Sequence, residues 1–195
     1  MQIIIYNQKG GVGKSMIATQ LALHFDTSII ELDPYGMLSD TLGEETVYKV
    51  ELNEQVPNIE EGDVIYDFGG FDDIRLDEIS KNANLIIIPF NPTINSLGTT
   101  LKSYNRVKEL DRPVLFVANA VINEKDVSES IDFLKENTQD EIDYFVIPHT
   151  RALQTVENEG VSILKFAQSS GLRKHTYKKI AAIMQSFVGK VDEYL

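Results

Sequence analysis

Residues 7–15 read NQKGGVGKS. The last three, Gly13, Lys14 and Ser15, fit the end of the phosphate-binding loop G-x-x-x-x-G-K-[ST]. The first glycine of that pattern is absent. Gln8 stands in its place, and Lys9 follows as a second lysine ahead of Lys14. The run before the loop, Gln2 to Tyr6 (QIIIY), reads as a strand, and residues 14–25 read as a helix. Residues 7–13 therefore join a strand end to a helix start. Free backbone N–H groups and the positive end of the helix dipole converge at such a junction and attract phosphate. Gly10, Gly11 and Gly13 allow the backbone to approach closely. In this geometry Lys14 reaches the β- and γ-phosphates of a nucleotide, and the Ser15 hydroxyl takes Mg²⁺. The plain alternative is a glycine-rich turn; the matched Gly13, Lys14 and Ser15 between a strand and a helix argue against it.

Working outward, short apolar runs recur: Ser28 to Leu32, Val64 to Phe68, Asn84 to Phe90, Pro113 to Ala118 and Tyr144 to Ile147. They are rich in β-branched residues and apolar on both faces, as strands covered by helices on both sides should be. Helical patterns separate them at about 73–81, 94–109, 125–137 and 173–192. This alternation predicts an α/β fold, a P-loop NTPase with a mostly parallel, doubly wound sheet and helices on both faces. Segment 45–61 breaks the rhythm. Val47, Val50 and Leu52 suggest an exposed strand or hairpin near an edge. No repeat or linker interrupts the chain, so 1–195 is expected to be a single domain.

Composition narrows the chemistry. The chain has no cysteine, which excludes disulfides, thiolate zinc sites and thiol nucleophiles. No basic region followed by an apolar run marks a secretory signal, and no stretch approaches the ~20 apolar residues of a membrane span. A cytoplasmic location is expected. The net charge is −12, but residues 31–80 hold 15 acidic and two basic side chains, Lys49 and Arg75, so the remainder is near neutral. A local basic face stays possible, because phosphate contacts depend on local charge. His24, His149 and His175 lack metal-ligand spacing.

The motif KGGVGKS resembles the deviant Walker A loop of the ParA/MinD group of ATPases. In that family Lys9 is the signature lysine and no glycine is expected at position 8. The resemblance implies an ATP-dependent sandwich homodimer in which Lys9 of one subunit reaches the phosphates held by the other, much as an arginine finger does. It implies nucleotide contacts along Lys9, Gly10, Gly11, Val12, Gly13, Lys14, Ser15 and Met16. It extends along the chain. IIELDPYGMLSD resembles the family's D-x-D-P-Q segment, with Asp33 implied to orient the attacking water near Mg²⁺. Glu31 stands where the first aspartate is usual, and Tyr35 where glutamine is. DVIYDFGGFDD resembles the Walker B strand, with Asp67 implied to hold Mg²⁺ through water and Gly69 and Gly70 to sense the γ-phosphate. Asp72 and Asp73 are read as a helix N-cap and first-turn acid, and Thr93 as a further cap. VLFVANAV and the stretch after VIP imply base contacts at Asn119 and Pro148.

Such proteins include small partition ATPases that move plasmids or chromosomes. The resemblance implies ATP and Mg²⁺ as cofactors, ATP hydrolysis by Lys9, Lys14 and Asp33, non-specific double-stranded DNA as a ligand, a nucleoid-associated location, and a centromere-binding ParB/ParG-like partner. No helix-turn-helix precedes the first strand, as in the small members. GLRKHTYKK supplies Arg173, Lys174, Lys178 and Lys179 as DNA-contact candidates, and Arg151 is a further one by resemblance. A solvated helix face is the plain alternative. The acidic segment 31–80 would suit a basic tail of the partner. The rival reading is a MinD-like membrane-associated positioning ATPase, whose case rests on the stripe Ile180, Met184, Phe187, Val191 and Leu195 in the final helix. Packing of that stripe on the sheet is the ordinary reading, and Asp192 and Glu193 oppose anionic lipid. A metabolic P-loop enzyme finds no supporting motif, and the lack of cysteine removes a metal-cluster carrier.

Overall fold

The computed structural model describes Met1–Leu195 throughout. Seven strands form one sheet: β1 (Gln2–Ile5), β2 (Ser28–Glu31), β3 (Val47–Lys49), β4 (Val64–Asp67), β5 (Leu85–Phe90), β6 (Val114–Val121) and β7 (Tyr144–Pro148). Their order is β3-β2-β4-β1-β5-β6-β7, and every pair is parallel. Segment 45–61 therefore contributes a short parallel edge strand and no hairpin. Against the expectation of an exposed segment, Val47 and Val50 are buried, in the cores on opposite faces of the sheet, and only Leu52 stays exposed.

Alternating side chains of the central strands feed two cores. Ile3, Ile5, Ile29, Ile65 and Ile87 pack with α1 (Lys14–Phe25), α6 (Arg151–Asn158), α7 (Ile163–Gln168) and α8 (Gly171–Asp192). Ile4, Ile30, Tyr66, Ile86 and Phe116 pack with α3 (Leu76–Ile79), α4 (Ile94–Lys108) and α5 (Glu124–Thr138). The two clusters hold 26 and 24 buried residues, so neither face of the sheet is open to water. A further short helix, α2 (Leu38–Leu42), follows β2.

Three helices escape the sequence reading, α2, α6 and α7, all of eight residues or fewer. A fourth begins late. The helix expected from residue 73 starts at Leu76 and ends in a 3₁₀ turn, Ser80–Asn82. The cause is Asp73. Its carboxylate accepts the Arg75 N–H and pairs with the Arg75 guanidinium at 2.6 Å, fixing 73–75 as a turn. Asp73 and Asp72 are therefore neither cap nor first-turn acid; Asp72 pairs with Arg106 instead. Thr93 does occupy the N-cap of α4, but its hydroxyl makes no capping bond.

Of the final stripe, Ile180, Met184, Phe187 and Val191 are buried against the sheet. Leu195 lies beyond the helix and is half exposed. No helix is long and apolar enough to cross a membrane.

Candidate functional site

Because all strands run the same way, their following loops gather at one edge. The connection leaving β1 runs towards β2, while that leaving its neighbour β5 runs towards β6. Ligands of open α/β sheets bind in the crevice where the connections diverge in this way, and residues 6–13 lie there.

Asn7 holds the loop. Fully buried, it donates from Nδ2 to the Pro89 carbonyl (2.8 Å) and Thr100 Oγ1 (3.1 Å). Its Oδ1 accepts from the Lys9 N–H (2.9 Å) and Ser103 Oγ (3.0 Å). Every donor and acceptor of the amide that the fold can use is thus engaged on both sides of the loop. The Gln8 N–H donates to Ser103 Oγ, and the Gln8 amide donates to the Tyr6 hydroxyl at 3.0 Å. Gln8 is therefore a tether to the preceding strand. Gly11 and Gly13 adopt φ +74 and +94, the left-handed region that favours glycine.

Lys14 is buried, and its Nζ donates to the carbonyls of Asn7 and Lys9, each at 3.1 Å. Burial lowers its pKa, against the pull of Asp67 and Asp33. Lys9, by contrast, is exposed, and its side chain has no partner in the chain.

The register of β2, β4 and β1 sets Glu31 and Ile5 on either side of Asp67. Asp67 is wholly buried at the end of β4, and neither carboxylate oxygen has a hydrogen-bond partner. Burial pushes its carboxyl up to about 7, while the Ser15 hydroxyl and the Lys14 ammonium pull it down. A carboxylate left this way is costly unless a cation completes it. No three His, Asp or Glu side chains converge to hold a metal alone. The donor set of Ser15 and Asp67, with Asp33 close enough to act on both Asp67 and Lys14, fits a hydrated Mg²⁺ that takes its other ligands from phosphate and water.

Asp33 occupies a tight turn. Its Oδ1 accepts the Tyr35 N–H at 3.0 Å, and its carbonyl accepts the Gly36 N–H. Glu31 straps this turn down. Its Oε1 accepts the Leu38 N–H at 2.9 Å and lies 2.2 Å from where a Cβ on Gly36 would be. Lys49 binds the Gly36 carbonyl from β3 at 2.8 Å. Burial raises the Glu31 pKa. The glutamate that departs from the family pattern is thus a brace for the segment carrying Asp33.

The loop after β4 touches the phosphate loop directly. A Cβ on Gly70 would lie 3.0 Å from the Gly10 nitrogen and 3.1 Å from its Cα.

Beside the loop, a cavity of about 210 Å³ is lined by Gly11, Gly13, Met16, Asn119, Pro148 and Glu157, among others. Asn119 and Pro148 are thus brought beside the phosphate loop. The Asn119 amide, however, donates to the Val12 carbonyl at 2.9 Å and sits 2.1 Å from a would-be Gly13 Cβ. Its Oδ1 and the second amide N–H are left to face a base. Ala120, at φ +56, and a register shift between Ala118 and Val121 turn the strand at this point.

Of the basic candidates, Arg151 and Lys179 line one groove of about 360 Å³ with His149 and Tyr177. Lys174 and Lys178 are exposed on α8. Arg173 is drawn aside, its guanidinium 4.0 Å over the Phe166 ring and bonded to Ser169.

The sequence profile of the CobQ/CobB/MinD/ParA nucleotide binding domain matches residues 3–163. No curated protein sequence matches the chain. Solved structures share its fold. McdA from Cyanothece is 12% identical with a TM-score of 0.64, covering 94% of this chain and 98% of that one. MinD in the MinC:MinD cell division complex of Aquifex aeolicus is 16% identical at 0.62, covering 96% and 95%. A putative plasmid partition protein of Borrelia burgdorferi B31, bound to AMPPNP, is 13% identical at 0.60, covering 95% and 98%.

Proposed function

The chain belongs to the CobQ/CobB/MinD/ParA nucleotide-binding family, and from that premise we propose that it is the Mg²⁺-dependent ATPase of a DNA partition system. In this reading the loop 8–15 cradles the β- and γ-phosphates, and Lys14 moves from the loop carbonyls onto them. Ser15 and Asp67 would hold Mg²⁺, which when bound would supply positive charge against the phosphate oxygens. Asp33, braced by Glu31, orients the attacking water, and Asn119 Oδ1 and Pro148 border the base.

ATP drives a homodimer. The exposed side chains Tyr35, Met37, Ile74, Ile94 and Ile122 all follow strand ends at the edge that carries the phosphate loop. Large apolar residues gathered on one rim mark an interface, and the free Lys9 stands among them. Replacing Lys9 with Ala should abolish ATP-dependent dimerisation in sedimentation; a normal dimer would refute its role across the interface.

One observation favours DNA over a bilayer as the dimer's ligand. The apolar stripe of α8 is consumed by the core, while Lys174, Lys178 and Lys179 on the same helix face solvent. A ParB/ParG-like partner completes the cycle by stimulating hydrolysis. The deciding test is binding to random-sequence duplex DNA with ATP, with ADP and with neither, at two salt concentrations. ATP-specific, salt-sensitive binding is expected. Flotation with anionic liposomes, without DNA binding, would move the chain to the MinD-like class.

A further inference from the structure

A second cavity, of about 100 Å³, lies on the flank of the sheet under α3, away from the phosphate loop. We propose that it receives the ammonium end of a lysine side chain carried on a basic peptide segment of a partner protein.

The floor is Tyr66. Its residue is only 2% exposed, yet its hydroxyl forms no hydrogen bond within the chain, and burial alone raises its pKa. The side chain is buried but its oxygen is open to the cavity, so a donor entering there can reach it. Gln2 closes one side by donating to the Ile59 carbonyl at 2.6 Å. Arg75 closes another, but it is no anion site. Its guanidinium is taken up by Asp73 and by the carbonyls of Leu32 and Glu51. At the rim stand Glu54 and Glu78, both exposed and neither in an ion pair.

Charge decides the occupant. Residues 31–80 contain only two cations. Both are turned inward, Arg75 on Asp73 and Lys49 on the Gly36 carbonyl. Lys81, just outside this range, acts on Asp77. Asp63, Asp72 and Asp77 are paired from outside the segment, by the N-terminus and Arg106, so the charge left without a partner at this cavity is that of Glu54 and Glu78 on the rim of a polar pit. An ammonium has three donors, and the Tyr66 oxygen with the Glu54 and Glu78 carboxylates offers three acceptors. The volume admits one side-chain end and is below the range of about 300–1,000 Å³ typical of small-molecule pockets. No three acidic or histidine side chains meet there to hold a metal. Binding here needs no nucleotide, so it stands or falls apart from the ATPase reading.

The test is fluorescence anisotropy of a labelled lysine–glycine peptide against the full chain at about 0.15 M salt, where screening over about 8 Å suppresses diffuse attraction. Saturable binding is expected, lost when the lysines are acetylated. Glu54→Gln with Glu78→Gln should weaken it at least about tenfold, and Tyr66→Phe roughly threefold. Glu44→Gln with Glu45→Gln changes the net charge equally on acids that do not line the cavity, and should cost less than about twofold. Equal weakening by the two double variants, equal binding of the acetylated peptide, or no saturable binding would overturn the proposal. All four glutamates are exposed, so folding is preserved in these variants.

Discussion

Asp67→Asn should stabilise the nucleotide-free protein while destroying its response to Mg²⁺ and ATP. The carboxylate is wholly buried, both oxygens lack partners, and its pKa stands at about 7 against an ordinary 3.8. At about 1.4 kcal/mol per pH unit, this corresponds to a destabilisation of roughly 4 kcal/mol at most. Lys14 shares the burden, so the expected gain for asparagine is about 1–3 kcal/mol, equivalent to several degrees in Tm. The sign follows from proton counts. Below about pH 4 native and unfolded chains both hold the proton, and nothing is lost. Between about 4 and 7 the native chain keeps a proton that the unfolded chain has released, so wild-type stability falls as pH rises. Above about 7 the buried carboxylate is ionised and the full cost is present. The difference between Asp67→Asn and wild type should therefore be small at pH 4.5 and largest at pH 8.5. Urea unfolding at several pH values measures it. Adding Mg²⁺ and ATP at pH 8.5 should stabilise wild type and leave the variant unmoved. A variant less stable than wild type at pH 8.5, or a difference independent of pH, would refute the reasoning.

Three further outcomes follow from the loops. Gly13→Ala puts a Cβ 2.1 Å from the Asn119 amide at φ +94; it should cost about 2–4 kcal/mol in thermal unfolding and abolish nucleotide binding in calorimetry. Asn7→Ala strands the Lys9 N–H and the Pro89 carbonyl, and should lose about 2–4 kcal/mol in urea unfolding. Glu31→Ala releases the turn that carries Asp33; hydrogen exchange at the Leu38 amide should quicken at least about tenfold, with ATP affinity changed far less than turnover.

The sheet was legible because parallel strands buried on both faces are apolar throughout, and Gln2–Ile5 or Leu85–Phe90 admit no other reading. The phosphate loop was legible because its chemistry is contiguous. What escaped depends on partners far away in sequence. Asn7 meets Pro89, Thr100 and Ser103, and no local pattern announces that. The start of α3 was misplaced because Asp73 at a helix entrance reads as a cap, whereas Arg75 captures it. The short helices α6 and α7 did leave signals, Thr150 and Ser162 as caps, whose side chains accept from Ala152 and Lys165. Glu31 read as a mere departure; its use as a brace needed the distance to Gly36 and Leu38.

Gly70 approaches Gly10 backbone to backbone, with no room for a side chain between them. The gap between them is too small for even one methyl group, so a nucleotide that moves the phosphate loop towards its neighbour soon meets steep repulsion, where charge attraction is gradual. A signal passed in this way carries no charge. Salt, which screens charge, would leave such a relay untouched.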